Sequence, residues 1–202
     1  MAGSALARGE DWSDERLMLA YRDGDADAFE ALYCRHRGAL HRYLAHQCGN
    51  SALAEELYQD VWIKVVKARA DYQPLAKFST WLFRIAHHRL IDHYRQSHPE
   101  MALRFERPDA GDGADEDDFI GGLPAALHET PHGLYERRTT AQRISLALAE
   151  LPAPQREAFL LAEEGGLTLE EIAATTASTR ETSKSRLRYA LSKLRHSLQD
   201  LL

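Results

Sequence analysis

From Asp14 to Ser97 the apolar residues fall three and four positions apart, as in Leu17, Ala20, Tyr21 and then Phe29, Leu32, Tyr33, with no sustained alternation of period two. That spacing lines one side of a helix, whereas a half-buried strand needs an apolar residue at every second position. The sequence therefore predicts an all-helical body. Breaks at Asp23-Gly24-Asp25, Cys48-Gly49-Asn50-Ser51 and Asp71-Tyr72-Gln73-Pro74 supply turn residues or the fixed φ of proline, dividing the body into three or four helices. Asp25 or Asp27, and Asn50 or Ser51, stand where a side chain can accept from the free N–H groups opening the second and third helices. Ser79 or Thr80 is expected to do the same for the fourth.

A chain of 202 residues exceeds one average domain, and two compact units are expected. With 44% hydrophobic and 28% charged residues it is globular in composition and not wholly disordered. The first residues carry acids where a signal peptide needs a basic start and an apolar block. No apolar run approaches the roughly 18 residues of a membrane span, so neither secretion nor membrane insertion is expected. Cys34 and Cys48, the only cysteines, cannot build a disulfide framework or a cysteine zinc site, which suits a reducing, cytoplasmic setting.

The net charge of −6 argues at first against a nucleic-acid partner, because phosphate binding leaves a basic footprint. The distribution reverses that reading. Between Arg107 and Arg137 there is no Lys or Arg, while Asp109, Asp112, Asp115, Glu116, Asp117, Asp118, Glu129 and Glu136 contribute eight negative charges. The other 23 acids face 25 bases, a balance of +2. Near the C-terminus Arg180, Lys184, Arg186, Arg188, Lys193 and Arg195 stand against the single acid Glu181, a cationic helix.

Residues 99 to about 135 change character, with Pro99, Pro108, Pro124 and Pro131 beside five of the twelve glycines and the acid run Asp115 to Asp118. The composition reads as a solvated, self-repelling linker. The division is an N-terminal tail 1–13, a helical domain 14–98, a linker 99–138 and a second helical domain 139–202. In the last, a helix from Thr139 to Leu151 ends at Pro152-Ala153-Pro154, and two or three more helices follow.

The segment from Thr168 to Thr182 opens with a capping box, in which Thr168 accepts from the Glu171 amide while Glu171 reaches back. Ile172 and Ala173 let a second helix cross closely, and Leu187, Ala190, Leu191 and Leu194 continue an apolar stripe along it. The opposite face carries Arg180, Lys184, Arg188 and Arg195, side chains suited to guanine edges and phosphates in a major groove. On these residues alone, a charged solvent face of a bundle helix is the competing reading.

Leu151-Pro152-Ala153-Pro154-Gln155-Arg156-Glu157-Ala158-Phe159-Leu160-Leu161, then Gly166-Leu167-Thr168-Leu169-Glu170-Glu171-Ile172-Ala173 and Lys184-Ser185-Arg186-Leu187, resembles region 4 of the extracytoplasmic-function sigma factors of bacterial RNA polymerase. The resemblance implies recognition of the minus-thirty-five promoter element by Arg180, Thr182, Lys184, Ser185, Arg186 and Arg188, with Tyr189 where the family often has arginine. Thr175-Thr176, Ala177, Ser178 and Ser183 stand where relatives have leucines, a glycine, a branched apolar residue and a valine. These replacements remove apolar surface and the residue best suited to a left-handed turn, so a loosely held recognition helix is expected, with Ser183 in its core.

In Phe78-Ser79-Thr80-Trp81-Leu82-Phe83-Arg84-Ile85-Ala86-His87-His88-Arg89-Leu90-Ile91-Asp92-His93-Tyr94-Arg95, aromatic and basic residues alternate. Unpaired bases stack on aromatic faces and cations follow phosphates, so the mixture suits separated strands better than intact duplex. By spacing, Trp81, Leu82, Ile85, Leu90 and Ile91 belong to the core, leaving Arg84, His87, His88, Arg89 and Arg95 for the surface. The stretch resembles region 2 of the same family, which reads and melts the minus-ten element. The resemblance carries that role onto the 73–79 loop and onto Lys77, Phe78, Ser79, Trp81, Arg84, His87, His88, Arg89 and Arg95. His88 replaces a common asparagine, and a charge varying near neutrality would weaken promoter binding as pH rises.

Residues 52–66 form an amphipathic helix resembling the polymerase-binding helix of region 2, which docks on the β′ coiled coil. Glu56, Gln59, Asp60 and Trp62 inherit that role by resemblance. The family also implies contact with the β subunit and promoter DNA, an anti-sigma partner, and a linker running through the polymerase channels. No cofactor, metal or catalytic residue is expected. Although His88 and Asp92 share a helix face, no set of three or four ligands converges in the sequence, and no phosphate loop or nucleophile elbow is present. The remaining alternative is a helix-turn-helix regulator acting on duplex DNA without polymerase.

Overall fold

The computed structural model describes residues 12–106 and 131–199. Its helices are α1 (Asp14–Arg22), α2 (Ala26–Cys48), α3 (Ser51–Ala68), α4 (Phe78–Ser97), α5 (Pro99–Glu106), α6 (Pro131–Glu150), α7 (Ala153–Glu163), α8 (Leu169–Thr175) and α9 (Arg180–Ser197). A 3₁₀ turn, Arg69–Asp71, follows α3, and no strand occurs among the described residues. The expected all-α architecture of two helical domains is observed.

Local chemistry sets most helix starts. Ser13 accepts from the Arg16 N–H, Asp25 from those of Asp27 and Ala28 at 3.0 and 3.3 Å, and Asn50 from those of Ala52 and Leu53 at 2.9 and 3.3 Å. Gly49, at φ +62°, closes α2 in the left-handed region. The fourth helix departs from expectation: neither Ser79 nor Thr80 caps it. It starts at Phe78, whose N–H donates to Glu15 Oε1 of α1 at 2.8 Å. This cap is tertiary, so no local pattern announces it.

Leu17, Met18, Leu32, Leu40, Leu44, Leu57, Val61, Leu82 and Leu90, all at most 1% exposed, fill the space between α1, α2, α3 and α4. Each such side chain contributes about 1.5–3 kcal/mol on burial. The helical run also extends into the segment read as linker. Ala102 and Phe105 share one side of α5 and are buried on α4, with the Phe105 ring stacked on Tyr94 at 5.7 Å. Three-residue spacing of two apolar side chains outweighs the local proline and acid content there. At the far end α6 starts at Pro131, ahead of the expected Thr139. The acid run Asp115 to Asp118 and residues 1–11 lie outside the described residues.

In the C-terminal domain α9 packs against α7 and α8. Its buried residues join those of the N-terminal domain in one continuous core, because α7 lies on α2 and α5 while α8 lies on α4. No described helix is long and apolar enough to cross a membrane.

Candidate nucleic-acid interface

The helix-turn-helix is built from its own caps. The Thr168 N–H donates to Glu171 Oε2 at 2.8 Å and the Glu171 N–H to Thr168 Oγ1 at 3.3 Å, completing the expected capping box. Thr179 caps α9 by accepting from the Thr182 N–H at 3.1 Å. Between the helices Ala177 adopts φ +50°, so alanine occupies the left-handed turn position where glycine is unstrained.

Arg180, Lys184, Arg188 and Arg195 are exposed along α9, and Thr182, Ser185 and Tyr189 are half-buried beside them. Arg186 corrects the sequence reading. It is 7% exposed and lies on the packed side with Ser183, Ala190 and Leu194, so in this conformation it is withheld from a groove. The packed stripe is rotated by about one residue from the expected one, leaving Leu187 and Leu191 only half-buried. Arg180 meets Glu170 at 2.5 Å and Glu181 at 3.2 Å in exposed ion pairs that are weak and exchangeable for a phosphate. The Arg188 guanidinium stands 5.1 Å from the Tyr189 ring centroid.

On the N-terminal domain, Lys77, Arg84, His88 and Arg95 are exposed, while Ser79, Trp81 and Arg89 are half-buried. Two expected contacts are corrected. Phe78 is 0% exposed, its ring packed against Tyr72, Trp81 and His36, so it supports the loop ahead of α4 from beneath. His87 is 9% exposed because α7 covers it with Glu157. Burial pushes the Tyr72 phenol to about 12, and its hydroxyl, under the same loop, has no hydrogen-bond partner. Burial, then the neighbouring His87 and Arg84, hold His88 below its ordinary 6.5. Its ring is therefore neutral near pH 7, and the expected charge change shifts to the acid side. Leu75, 88% exposed at the loop, is a solvent-facing apolar residue that the sequence reading did not single out.

On α3, Glu56 and Gln59 are exposed and the Gln59 side-chain amide donates to Glu55 at 2.9 Å. Asp60 is held by Arg89 of α4, with Nη2 at 2.6 Å and Nε at 2.8 Å. Trp62 is corrected: at 6% exposure it packs against Phe29, Tyr33 and Tyr58. The exposed apolar residues of this helix are Ile63 and Val66, 48% and 39% exposed. Glu56, Gln59, Ile63 and Val66 follow a 3-4-3 spacing, which puts them on one face and was the signal available in the sequence.

A polar cluster between the domains had no counterpart in the sequence reading. Glu157 of α7, 2% exposed, accepts at Oε1 from the Tyr43 hydroxyl of α2 at 3.1 Å and faces His87 Nδ1 of α4 at 2.5 Å. Burial disfavours a charged His87, but the charge and hydrogen bond of Glu157 outweigh it and raise His87 above its ordinary 6.5. At the rim Arg42 pairs with Glu164 through Nη2 at 2.8 Å, Thr80 donates to Glu171 at 2.8 Å, and Lys77 lies 3.7 Å from the same carboxylate. The partners are 70 to 122 residues apart, too distant for any local pattern to pair them. Among the described residues no three His, Cys, Asp or Glu side chains gather as metal ligands.

Two family models match this chain, Sigma-70 region 2 over residues 32–99 and Sigma-70, region 4 over residues 141–194. RNA polymerase sigma factor CarQ of Myxococcus xanthus is 30% identical over 184 residues, covering 91% of this chain and 97% of that protein. ECF RNA polymerase sigma factor RpoE of Cereibacter sphaeroides is 33% identical over 186 residues, covering 90% and 93%. Among solved structures, CnrH in complex with the cytosolic domain of CnrY shares the fold at a TM-score of 0.62 and 21% identity, over 93% of this chain and 97% of that one. The sigma factor RpoE of Bartonella quintana, solved with the anti-sigma factor NepR, does so at 0.59 and 23% identity, over 85% and 96%.

Proposed function

Since the chain belongs to the extracytoplasmic-function sigma factors of RNA polymerase, with their role in transcription initiation, we propose a division of that role between its two domains. The C-terminal domain, residues 139–202, holds the minus-thirty-five element through Arg180, Lys184 and Arg188, with Thr182, Ser185 and Tyr189 alongside. The observation that carries this is the exposed cationic line on a helix capped at Thr179 and crossed over α8. Phosphate contacts from these cations fix register, and the shorter polar side chains add base contacts.

The N-terminal domain, residues 14–98, opens and holds the minus-ten strand along Lys77, Ser79, Trp81, Arg84, His88, Arg89 and Arg95. Phe78 supports the 73–79 loop in this scheme and does not itself stack on a base. Glu56, Gln59 and Asp60, joined by Ile63 and Val66, form the surface for the polymerase β′ coiled coil, while Trp62 braces it from inside. An acidic rim around two exposed apolar side chains supports that assignment. A further contact with the β subunit, an anti-sigma partner and a cytoplasmic setting complete the proposal, and the chain itself performs no bond chemistry.

Runoff transcription by purified core polymerase on a promoter library, followed by sequencing of the products, tests this reading. Defined start points should appear only when both the chain and core are present. Tight sequence-specific binding to duplex DNA, with no effect on core polymerase, would instead identify a regulator that acts alone.

A further inference from the structure

Residues 73–77 are all exposed, and the residues on either side of them are not. Tyr72 is 3% exposed and Phe78 0%, with their rings 6.4 Å apart and both set against Trp81. A loop with no buried side chain of its own takes its position from its two ends. Within it Pro74 fixes one φ and the Leu75 N–H donates to the Gln73 carbonyl at 2.9 Å, which stiffens the tip and leaves its placement to those ends.

The downstream end is also the start of α4, and another helix holds it. Lys77 stands at the N-cap position with a side chain that only donates, so it cannot accept from the first N–H groups of the helix. Glu15 of α1 does so instead, its Oε1 accepting from the Phe78 N–H at 2.8 Å. A carboxylate there also suits the positive end of the α4 dipole. Helix α1 is itself fixed on α2, because Asp14 accepts from Arg35 and faces His36 Nε2 at 2.7 Å, and the His36 ring lies 5.2 Å from that of Phe78. Burial, then the charges of Glu15 and Asp14, raise the Tyr72 phenol, so the upstream end lies over the same corner of α1.

We propose that Glu15 is a positioning residue for strand opening: by holding the Phe78 N–H it sets where α4 begins, and so where the 73–79 loop presents Lys77, Ser79 and Trp81 to the separated strand. This role rests on the assignment of the minus-ten surface made above. Those three contacts lie within three residues of the bonded amide, so loosening the first turn displaces all of them together. Glu56 and Asp60 on α3 and the cations of α9 stand on other helices and keep their places. Glu15 itself touches no nucleic acid in this scheme and acts through the backbone of Phe78.

The test uses the full chain bound to purified core polymerase. Glu15→Met keeps the length and helix propensity of the side chain without its carboxylate, and Glu15→Gln keeps an acceptor oxygen. Permanganate reactivity of unpaired thymines across the minus-ten element should develop about fivefold more slowly with Glu15→Met, the loss expected of one N-terminal cap, and within about twofold of the original chain with Glu15→Gln. Affinity for core polymerase and for duplex minus-thirty-five DNA should not change in either variant, which a general loss of stability would not spare. In the free chain, hydrogen exchange at the Phe78 amide should accelerate in Glu15→Met alone. Equal opening by Glu15→Met and the original chain, failure of Glu15→Gln to restore it, or unchanged exchange at Phe78 overturns the role of Glu15 and leaves the minus-ten assignment standing. If the original chain with core opens no promoter at all, the minus-ten assignment falls and this role falls with it.

Discussion

The Asp60 carboxylate and the Arg89 guanidinium, 2.6 Å apart, join the helix assigned to polymerase docking to the helix assigned to strand opening. Both side chains are partly shielded, so the pair is worth about 1 kcal/mol or less to stability. Its larger effect is positional. Arg89 leaves Asp60 to reach a phosphate at the small cost of that pair, and until then Asp60 is presented as part of the α3 surface.

Reversing Asp60 therefore does two things at once. Asp60→Arg should weaken holoenzyme formation and also place a second cation beside Arg89. Glu56→Arg, exposed and outside that pair, separates the effects: it should lower affinity for core polymerase about tenfold with an unchanged helical circular dichroism spectrum. Normal core binding by Glu56→Arg in a pull-down would remove this face from the docking surface.

At the turn of the helix-turn-helix, Ala177 at φ +50° bears the strain that glycine would not. Ala177→Gly should stabilise the chain by about 1 kcal/mol, the cost of the left-handed region less the entropy that glycine adds to the unfolded state. The readout is the midpoint of thermal unfolding, and a drop in midpoint would contradict the turn geometry.

Ser183 is 0% exposed, as its sequence position implies, but it is not simply a missing valine. Its hydroxyl is 3.0 Å from that of Ser178, which is 3.0 Å from that of Thr176, so a chain of hydroxyls replaces apolar packing. The gain expected from Ser183→Val is offset by the hydrogen bond that Ser178 loses. Removing both partners leaves less unsatisfied, so Ser178→Ala with Ser183→Val should melt higher than Ser183→Val alone. Equal or reversed midpoints would show that the hydroxyl chain contributes nothing.

The contact between the two domains should depend on pH through His87. The groups facing it are Glu157 of α7 in the other domain, Tyr43 of α2, which shares the Glu157 oxygen, and His88, Asp92 and Arg95 on its own helix. Its pKa is raised where the domains meet, so its contribution to that contact is complete below the ordinary 6.5 and is lost as pH rises through the raised value. Scattering of the full chain from about pH 6 to about pH 9 should show expansion at the alkaline end. His87→Gln should flatten that dependence, and an unchanged profile in the variant would assign the expansion elsewhere. Glu171 acts oppositely: its carboxyl is lowered below 4.5 as Thr168, Thr80 and Lys77 outweigh burial, so its contribution falls away only in acid.

The helices, most of their caps and the family were legible in the sequence because each is written in neighbours a few residues apart. Asp25, Asn50 and the Thr168–Glu171 box act within one turn, and the apolar 3-4 spacing of α2, α3 and α4 needs no distant partner. Exposure was less legible. Phe78, Trp62 and Arg186 were placed at contact surfaces by resemblance and His87 by spacing as well, and all four are buried. A helix face is narrow, and a rotation of one residue exchanges buried for exposed without altering the spacing that defines the helix. The cap of Phe78 by Glu15 and the meeting of Tyr43, His87 and Glu157 belong to the tertiary structure alone. Burying a carboxylate is favourable only where separate helices bring donors to the same oxygen, a condition set by packing.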